Sequence, residues 1–170
     1  FRQTGYHFYR EYYFEPTLNR SLHGWLNAHP GPMRKKKQIL IYGRPNTPRN
    51  CFALVAMAVR EWAGRQPDAA DWTIVSAGER FPDVTVAKGV TIRCLGKLSL
   101  DEYARTMAES YLGISIMVSP HPSLPPLEMS TFGLKTITNC FANKDLTGFN
   151  PNIVSMRHYS PRDIASEMLR

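Results

Sequence analysis

The sequence predicts an α/β domain: a three-layer sandwich with a mainly parallel sheet in the middle. Three observations lead there. Short apolar runs of strand length recur at Gln38–Tyr42, Trp72–Ser76, Val90–Leu95, Leu112–Val118 and Lys135–Thr138. Segments with helical period or helix-start chemistry alternate with them. The connections are long enough for crossovers, which favour parallel strands with helices on both faces.

Taken in order, Phe1 to Pro32 is rich in aromatics (Tyr6, Phe8, Tyr9, Tyr12, Tyr13, Phe14, Trp25) and has no clean period. Such a segment has to pack on something, and we read residues 1–37 as an N-terminal segment or interdomain linker. His29-Pro-Gly-Pro32 breaks regular structure. The compact domain is expected over 38–170. After the first strand, Gly43 to Asn50 forms a loop, and Asn50 is the expected cap of a helix running to about Arg65. Its apolar face is Phe52, Val55, Ala56, Val59 and Trp62. The second strand ends at Ala77-Gly78-Glu79 and the third at Gly96. Ser99-Leu-Asp-Glu102 is a capping box for a helix to about Glu109. Prolines at 120, 122, 125 and 126 stop the fourth strand, and a short helix is expected to start near Pro126. Asn152–Ser155 reads as a sixth strand, and Ser160-Pro-Arg-Asp163 opens a last helix.

The formal charge of +7 over 170 residues calls for an anionic partner. The densest basic run is Arg34-Lys-Lys-Lys37, which reads first as a solubilising loop; resting on an anionic membrane is the further expectation for it. No aromatic-rich RNA motif or zinc spacing accompanies it, which argues against specific nucleic-acid recognition. Three scattered cysteines, Cys51, Cys94 and Cys140, fit a reducing cytoplasm. No apolar run approaches the ~20 residues of a membrane span. The chain opens at Phe1 without a signal-peptide pattern, and we read it as a piece of a longer protein.

Right-handed crossovers place every strand-to-helix loop on one edge of the sheet. Those loops hold Arg44 and Arg49, then Gly78, then Gly96 to Leu98, then Ser119 to Glu128. Guanidinium forks suit phosphate, and the prolines around them lower the ordering cost of binding. The backbone N–H groups of Ser123 and Leu124 lie at a helix start, where a diphosphate could rest. Glu128 could accept hydrogen bonds from vicinal hydroxyls, or merely balance the helix dipole. His121 sits in the loop tip, as a pocket donor or a plain loop residue. His7, His23, His29 and His158 have no evident partners. The chain lacks a Gly-x-Gly-x-x-Gly fingerprint, a Walker lysine motif, a serine nucleophile elbow and an Asp-x-Asp cluster. Nicotinamide binding, phosphate-bond hydrolysis and a metal-held diphosphate are accordingly disfavoured.

Together, Gly43-Arg44-Pro45…Arg49-Asn50, Ala77-Gly78, Leu95-Gly-Lys-Leu-Ser99 and Pro122-Ser-Leu-Pro-Pro-Leu-Glu128-Met129…Gly133-Leu-Lys-Thr-Ile-Thr138 resemble a known family. It is the donor-binding C-terminal half of family 4 glycosyltransferases of the GT-B fold, with the nearest likeness to bacterial rhamnosyltransferases of polysaccharide and surface-layer glycan synthesis. The resemblance runs from about Tyr12 to the end and rests on the combination, each piece being weak alone. It implies a Rossmann-like domain that binds a nucleotide diphosphate sugar, facing an absent N-terminal domain that binds a glycan or lipid-linked acceptor. It further implies transfer with retention, without an essential metal or cofactor. By the same resemblance Arg44 and Arg49 grip the diphosphate and act in catalysis. Ser123 and Leu124 donate to phosphate, Gly96, Lys97 and Leu98 meet the base, and Glu128 binds ribose.

One position departs from the family. The first glutamate of its paired motif lies eight positions before the second, and here that place is Pro120. Ser119 and His121 remain as residues to meet the donor sugar, and a deoxy sugar such as rhamnose suits a less polar pocket. The expected function is thus donor binding in glycosyl transfer, in the cytoplasm or at the inner face of a membrane. The alternative is an inactive module that kept the fold and lost the sugar contact. An epimerase of the same fold would need acid and base residues that the sequence does not supply.

Overall fold

A computed structural model describes residues 18–170. The helix α1 (Arg20–Ala28) comes first, followed by β1 (Lys36–Gly43), α2 (Phe52–Ala63), β2 (Thr73–Gly78), β3 (Val84–Ala87) and β4 (Val90–Gly96). Then come α3 (Leu100–Glu109), β5 (Ser110–Ile114), α4 (Leu124–Thr131), β6 (Lys135–Asn139), β7 (Ile153–Met156) and α5 (Pro161–Met168). The seven strands form one sheet in the order β3-β4-β2-β1-β5-β6-β7. Every neighbouring pair is parallel except β3 with β4. The α/β, Rossmann-like sandwich expected from the sequence is the fold observed.

Alternation along β1 explains the layers. Ile39 and Ile41 point to one face, where Val55, Val59 and Trp62 of α2 and Ile164 and Met168 of α5 cover them. Leu40 points to the other, against Leu22 of α1, Met107 of α3 and Met129 of α4, with Phe132 just beyond it. All these side chains are buried, and Trp62 and Phe132 are the largest wholly enclosed ones. Each such side chain contributes roughly 1.5–3 kcal/mol of burial.

Several elements differ from the expectation. Helix α1 lies in the segment read as a linker. Asn19 caps it by accepting the Ser21 N–H at 2.8 Å, and Leu22 seals it into the core. The aromatics Tyr6 to Phe14, and His7, lie outside the described residues. Strand β3 was not expected; it is a four-residue edge strand folded back on β4. Asn50 does not cap α2. It ends a 3-10 turn, and Cys51, at φ 51°, takes the cap position without a side-chain bond. Helix α4 starts at Leu124 rather than near Pro126.

Strand β5 ends at Ile114, not Val118. Ser115 still donates its N–H to Ile137 O, at 3.0 Å. Beyond it the chain leaves the ladder and is pinned by side chains of β6 instead: Asn139 Oδ1 accepts the Met117 N–H at 2.8 Å. The capping boxes at Ser99/Glu102 and Ser160/Asp163 are both present.

The basic run is largely engaged within the fold. Lys36 pairs with Glu109 at 2.8 Å, and Lys37 pairs with Asp68. Lys35 Nζ donates to Met107 O in the last turn of α3 and to Phe132 O at the cap of α4, at 3.1 and 2.6 Å. Burial lowers the Lys35 ammonium to about 8.

Candidate functional site

The strand order has one switch point. β1 connects onward to β2 on one side, whereas β5, its other neighbour, connects to β6 on the opposite side. In open α/β sheets the crevice beyond the carboxyl ends of two such strands is where ligands bind. Here the loop after β1 carries Arg44 and Arg49, and the loop after β5 carries His121 and leads into α4.

A hollow of about 380 Å³ lies at this point. Its walls include Arg44, Arg49, His121, Ser123, Leu124 and Glu128. Six residues named from the sequence thus share one cavity. Tyr42, Asn50, Leu100, Tyr103, Met117 and Pro125 complete it. A larger hollow, about 580 Å³, opens at the opposite end of β1 around Trp25, Arg34 and Lys36. It lies away from the strand carboxyl ends and holds none of the named residues.

Local bonds fix the first loop. Thr47 N–H closes a turn onto Arg44 O at 2.9 Å, and the Glu79 carboxylate accepts from the backbone and side chain of Asn46. Gly43 and Gly78 pair across the strand ends. Gly78 has φ +130°, and a Cβ there would stand 2.9 Å from Gly43 O. Only glycine leaves the chain free to turn at this rim. Val118 N–H donates to Arg49 O at 2.8 Å, tying the second loop to the first.

The start of α4 can be accounted for donor by donor. A helix leaves four N–H groups without intrahelical acceptors. Ser123, the cap residue at φ 70°, donates its N–H to His121 Nδ1 at 3.1 Å. Pro125 and Pro126 have none. Leu124 carries the remaining backbone donor. Of the two amides expected to face phosphate, the Ser123 N–H therefore already has a partner within the loop. The same bond places the proton of neutral His121 on Nε2. Ser119 does not line the hollow; its Oγ accepts the His121 N–H at 3.2 Å.

Gly96, Lys97 and Leu98 also stay out of the cavity wall. Gly96 ends β4, with the Arg80 side chain beside it. Lys97 is exposed, and Leu98 packs with Tyr42 and Tyr103 against the second core cluster. Leu100 and Tyr103 of α3 occupy the wall in their place.

The charged groups of the hollow have few protein partners. Glu128 is partly buried and, like Arg44 and Arg49, belongs to no ion pair among the described residues. Burial raises its carboxyl above the usual range, opposed by the neighbouring Tyr103 hydroxyl. Burial and the Glu128 charge push the Tyr103 phenol well up. The two groups are close enough to interact, yet the Tyr103 oxygen lacks a partner in hydrogen-bond geometry, as does Asn50 Oδ1. Both oxygens are shielded from solvent behind the cavity wall. Among the described residues no group of three or more His, Cys, Asp or Glu could hold a metal ion, and no helix is long and apolar enough to cross a membrane.

The signals for the missed residues were weak. Tyr42 ends an apolar run, Asn50 follows Arg49 in a loop, and Tyr103 lies four residues after the capping Ser99. Each pattern occurs in ordinary helices and strands.

The chain is 29% identical over 137 residues to the O-antigen biosynthesis protein RfbC of Myxococcus xanthus, which covers 80% of this chain and 10% of that protein. The chain thus spans about a tenth of the length of that curated relative. A chain in the crystal structure of a GtfA/B complex superposes with a TM-score of 0.56 at 16% identity, over 80% of this chain and 28% of that one. The family model of the WsaF C-terminal domain matches residues 37–169. That span includes every strand but the first residue of β1, and every residue lining the hollow, so the chain belongs to the family of the WsaF C-terminal domain.

Proposed function

We propose that this domain binds the donor of a glycosyl transfer, a nucleotide diphosphate sugar, in the hollow between the loops after β1 and β5. The observation that carries the reading is that Arg44, Arg49, Leu124 and Glu128 line one cavity at the switch point. The arginines face the diphosphate. Leu124 N–H adds a donor from the helix start. Glu128 accepts from the ribose hydroxyls. Leu100 and Leu124, both exposed at the rim, offer apolar surface to the base. This assigns to the first residues of α3 and α4 the role that the resemblance gives to Gly96, Lys97 and Leu98.

In this reading the sugar leaves with retention of configuration through an oxocarbenium-like transition state. Negative charge grows on the departing diphosphate, and Arg44 and Arg49 stabilise it without a metal. Preorganised charge of this kind commonly contributes more to the rate than any other single effect. The acceptor is a glycan or a lipid-linked glycan held by another domain of the full protein, and the name of the Myxococcus relative, an O-antigen biosynthesis protein, fits that class. Rhamnose is the donor sugar we favour, because the sugar end of the cavity lacks the glutamate that Pro120 replaces. His121, with Nε2–H free to donate, is the polar group left there. In the full protein, Arg44→Ala and Arg49→Ala are each expected to lower kcat more than they raise the donor KM. Unchanged kcat in both would remove their catalytic role.

Pro120 also favours a second reading, in which the domain binds a nucleotide sugar but supports no transfer. Product formation by the full protein from a dTDP-rhamnose, UDP-glucose and GDP-mannose panel separates the two; binding without transfer of any donor supports the second.

A further inference from the structure

Lys144 is a lysine with 3% of its surface exposed, in the turn that follows β6. That turn is closed by reciprocal backbone bonds between Phe141 and Lys144, at 2.8 and 2.9 Å. No carboxylate meets the ammonium in any ion pair among the described residues. Its Nζ donates instead to Met117 O at 2.6 Å and to Asn139 Oδ1 at 3.0 Å. The ionisable groups facing it are the thiols of Cys51 and Cys140, and burial lowers it to about 8.

A buried cation without a counter-charge is a costly way to hold a chain in place. What it holds is specific. Asn139 takes the Met117 N–H while Lys144 takes the Met117 C=O, so both backbone groups of one residue are gripped from β6 and its turn. Met117 lines the hollow. The next residue, Val118, donates to Arg49 O. An unbroken series of hydrogen bonds and one peptide unit thus runs from Lys144 through Met117 and Val118 to Arg49. It crosses the segment where β5 has already left the ladder; there Ile116 is buried, and Ser119 N–H also donates to Met117 O, at 3.0 Å.

We infer that Lys144 is a positioning residue for the candidate donor site: by gripping Met117 it holds the loop after β5 against the loop after β1, and so fixes where Arg49 stands. The inference rests on the donor-site reading for its functional consequence, but the mechanical link can be measured without it.

The test pairs binding with amide exchange. Uridine, thymidine and guanosine 5′-diphosphates are titrated into the chain, K144M, R49A and the double variant. K144M is expected to weaken the tightest binder about tenfold, and to add less than about twofold in the R49A background, because contacting groups couple. A general loss of stability would instead act equally in both backgrounds. Wild-type affinity in K144M, or the same loss repeated in R49A, overturns the inference. By hydrogen exchange, the Met117 and Val118 amides of K144M are expected to lose protection while Ile41 and Ile137 keep theirs. If no nucleotide binds the unaltered chain, the donor reading fails and the exchange result alone decides on Lys144: unchanged protection at Val118 overturns it. Lys144→Gln keeps a shorter neutral donor and stands in should K144M not fold. About threefold weaker binding is then expected, read against the same two overturning results.

Discussion

Glu128→Gln should make the empty domain more stable and the bound one weaker. The carboxylate is partly buried on α4, has no cation within ion-pair distance among the described residues, and has only the Tyr103 hydroxyl beside it. Its folded pKa is raised, so between the unfolded and the folded value the native state binds more protons, and stability falls as pH rises through that window. Above the window the folded chain bears the full cost of a poorly solvated charge. A glutamine of the same shape removes that cost, and relief of about 1 kcal/mol would raise Tm by roughly 2–4 °C in a chain of this size. Binding moves the other way. Hydrogen bonds to a charged group contribute about 1.5–3 kcal/mol, so losing the charge weakens a ribonucleotide diphosphate by roughly ten- to a hundredfold. Thermal melts at pH 5 and 7.5, with calorimetry at the higher pH, measure both. The Tm gain should be larger at pH 7.5. A lowered Tm with unchanged affinity would refute the reasoning, leaving Glu128 as an ordinary structural carboxylate of α4.

Other outcomes follow from the same physics. Lys35 and Lys144 both have folded values near 8, below the ordinary 10.5. The unfolded chain therefore binds more protons between pH 8 and 10, and stability should rise there by up to about 1.4 kcal/mol per pH unit for each lysine. Urea midpoints at pH 7.5, 8.5 and 9.5 check this, and Lys35→Met should remove part of the slope. Gly78→Ala forces a Cβ toward Gly43 O at φ +130°; a loss of about 1–3 kcal/mol is expected in urea unfolding. Ser99→Ala removes the acceptor of the α3 capping box and should cost about 1 kcal/mol in the same assay.

Much of this fold was legible because local signals agreed with one another. The β1, β2 and β4 runs are apolar and short, the capping residues Ser99 and Ser160 sit where α3 and α5 begin, and crossover handedness set the loops on one edge. Helix α1 escaped because its upstream neighbours of mixed aromatic character hid the Asn19 cap and the Leu22–Trp25–Leu26 spacing. Strand β3 is too short to show a period. The β5 boundary was overrun because Ser115–Val118 is as apolar as the strand before it; what ends the ladder is the side chain of Asn139, which no local pattern reveals. In the site, arginines and a carboxylate in loops were readable as chemistry. Tyr103 and Asn50 were not, since only the fold brings them into one wall. Lys144 looks like any surface lysine until the fold encloses it.

The most direct measurement is calorimetric titration of nucleoside diphosphates into the chain and into its Arg44→Ala/Arg49→Ala variant. At least one nucleotide should bind the unaltered chain, and the double variant should bind it at least about tenfold more weakly, as loss of charge-assisted bonds requires. Equal affinity in both, or no heat with any nucleotide, would contradict the donor site.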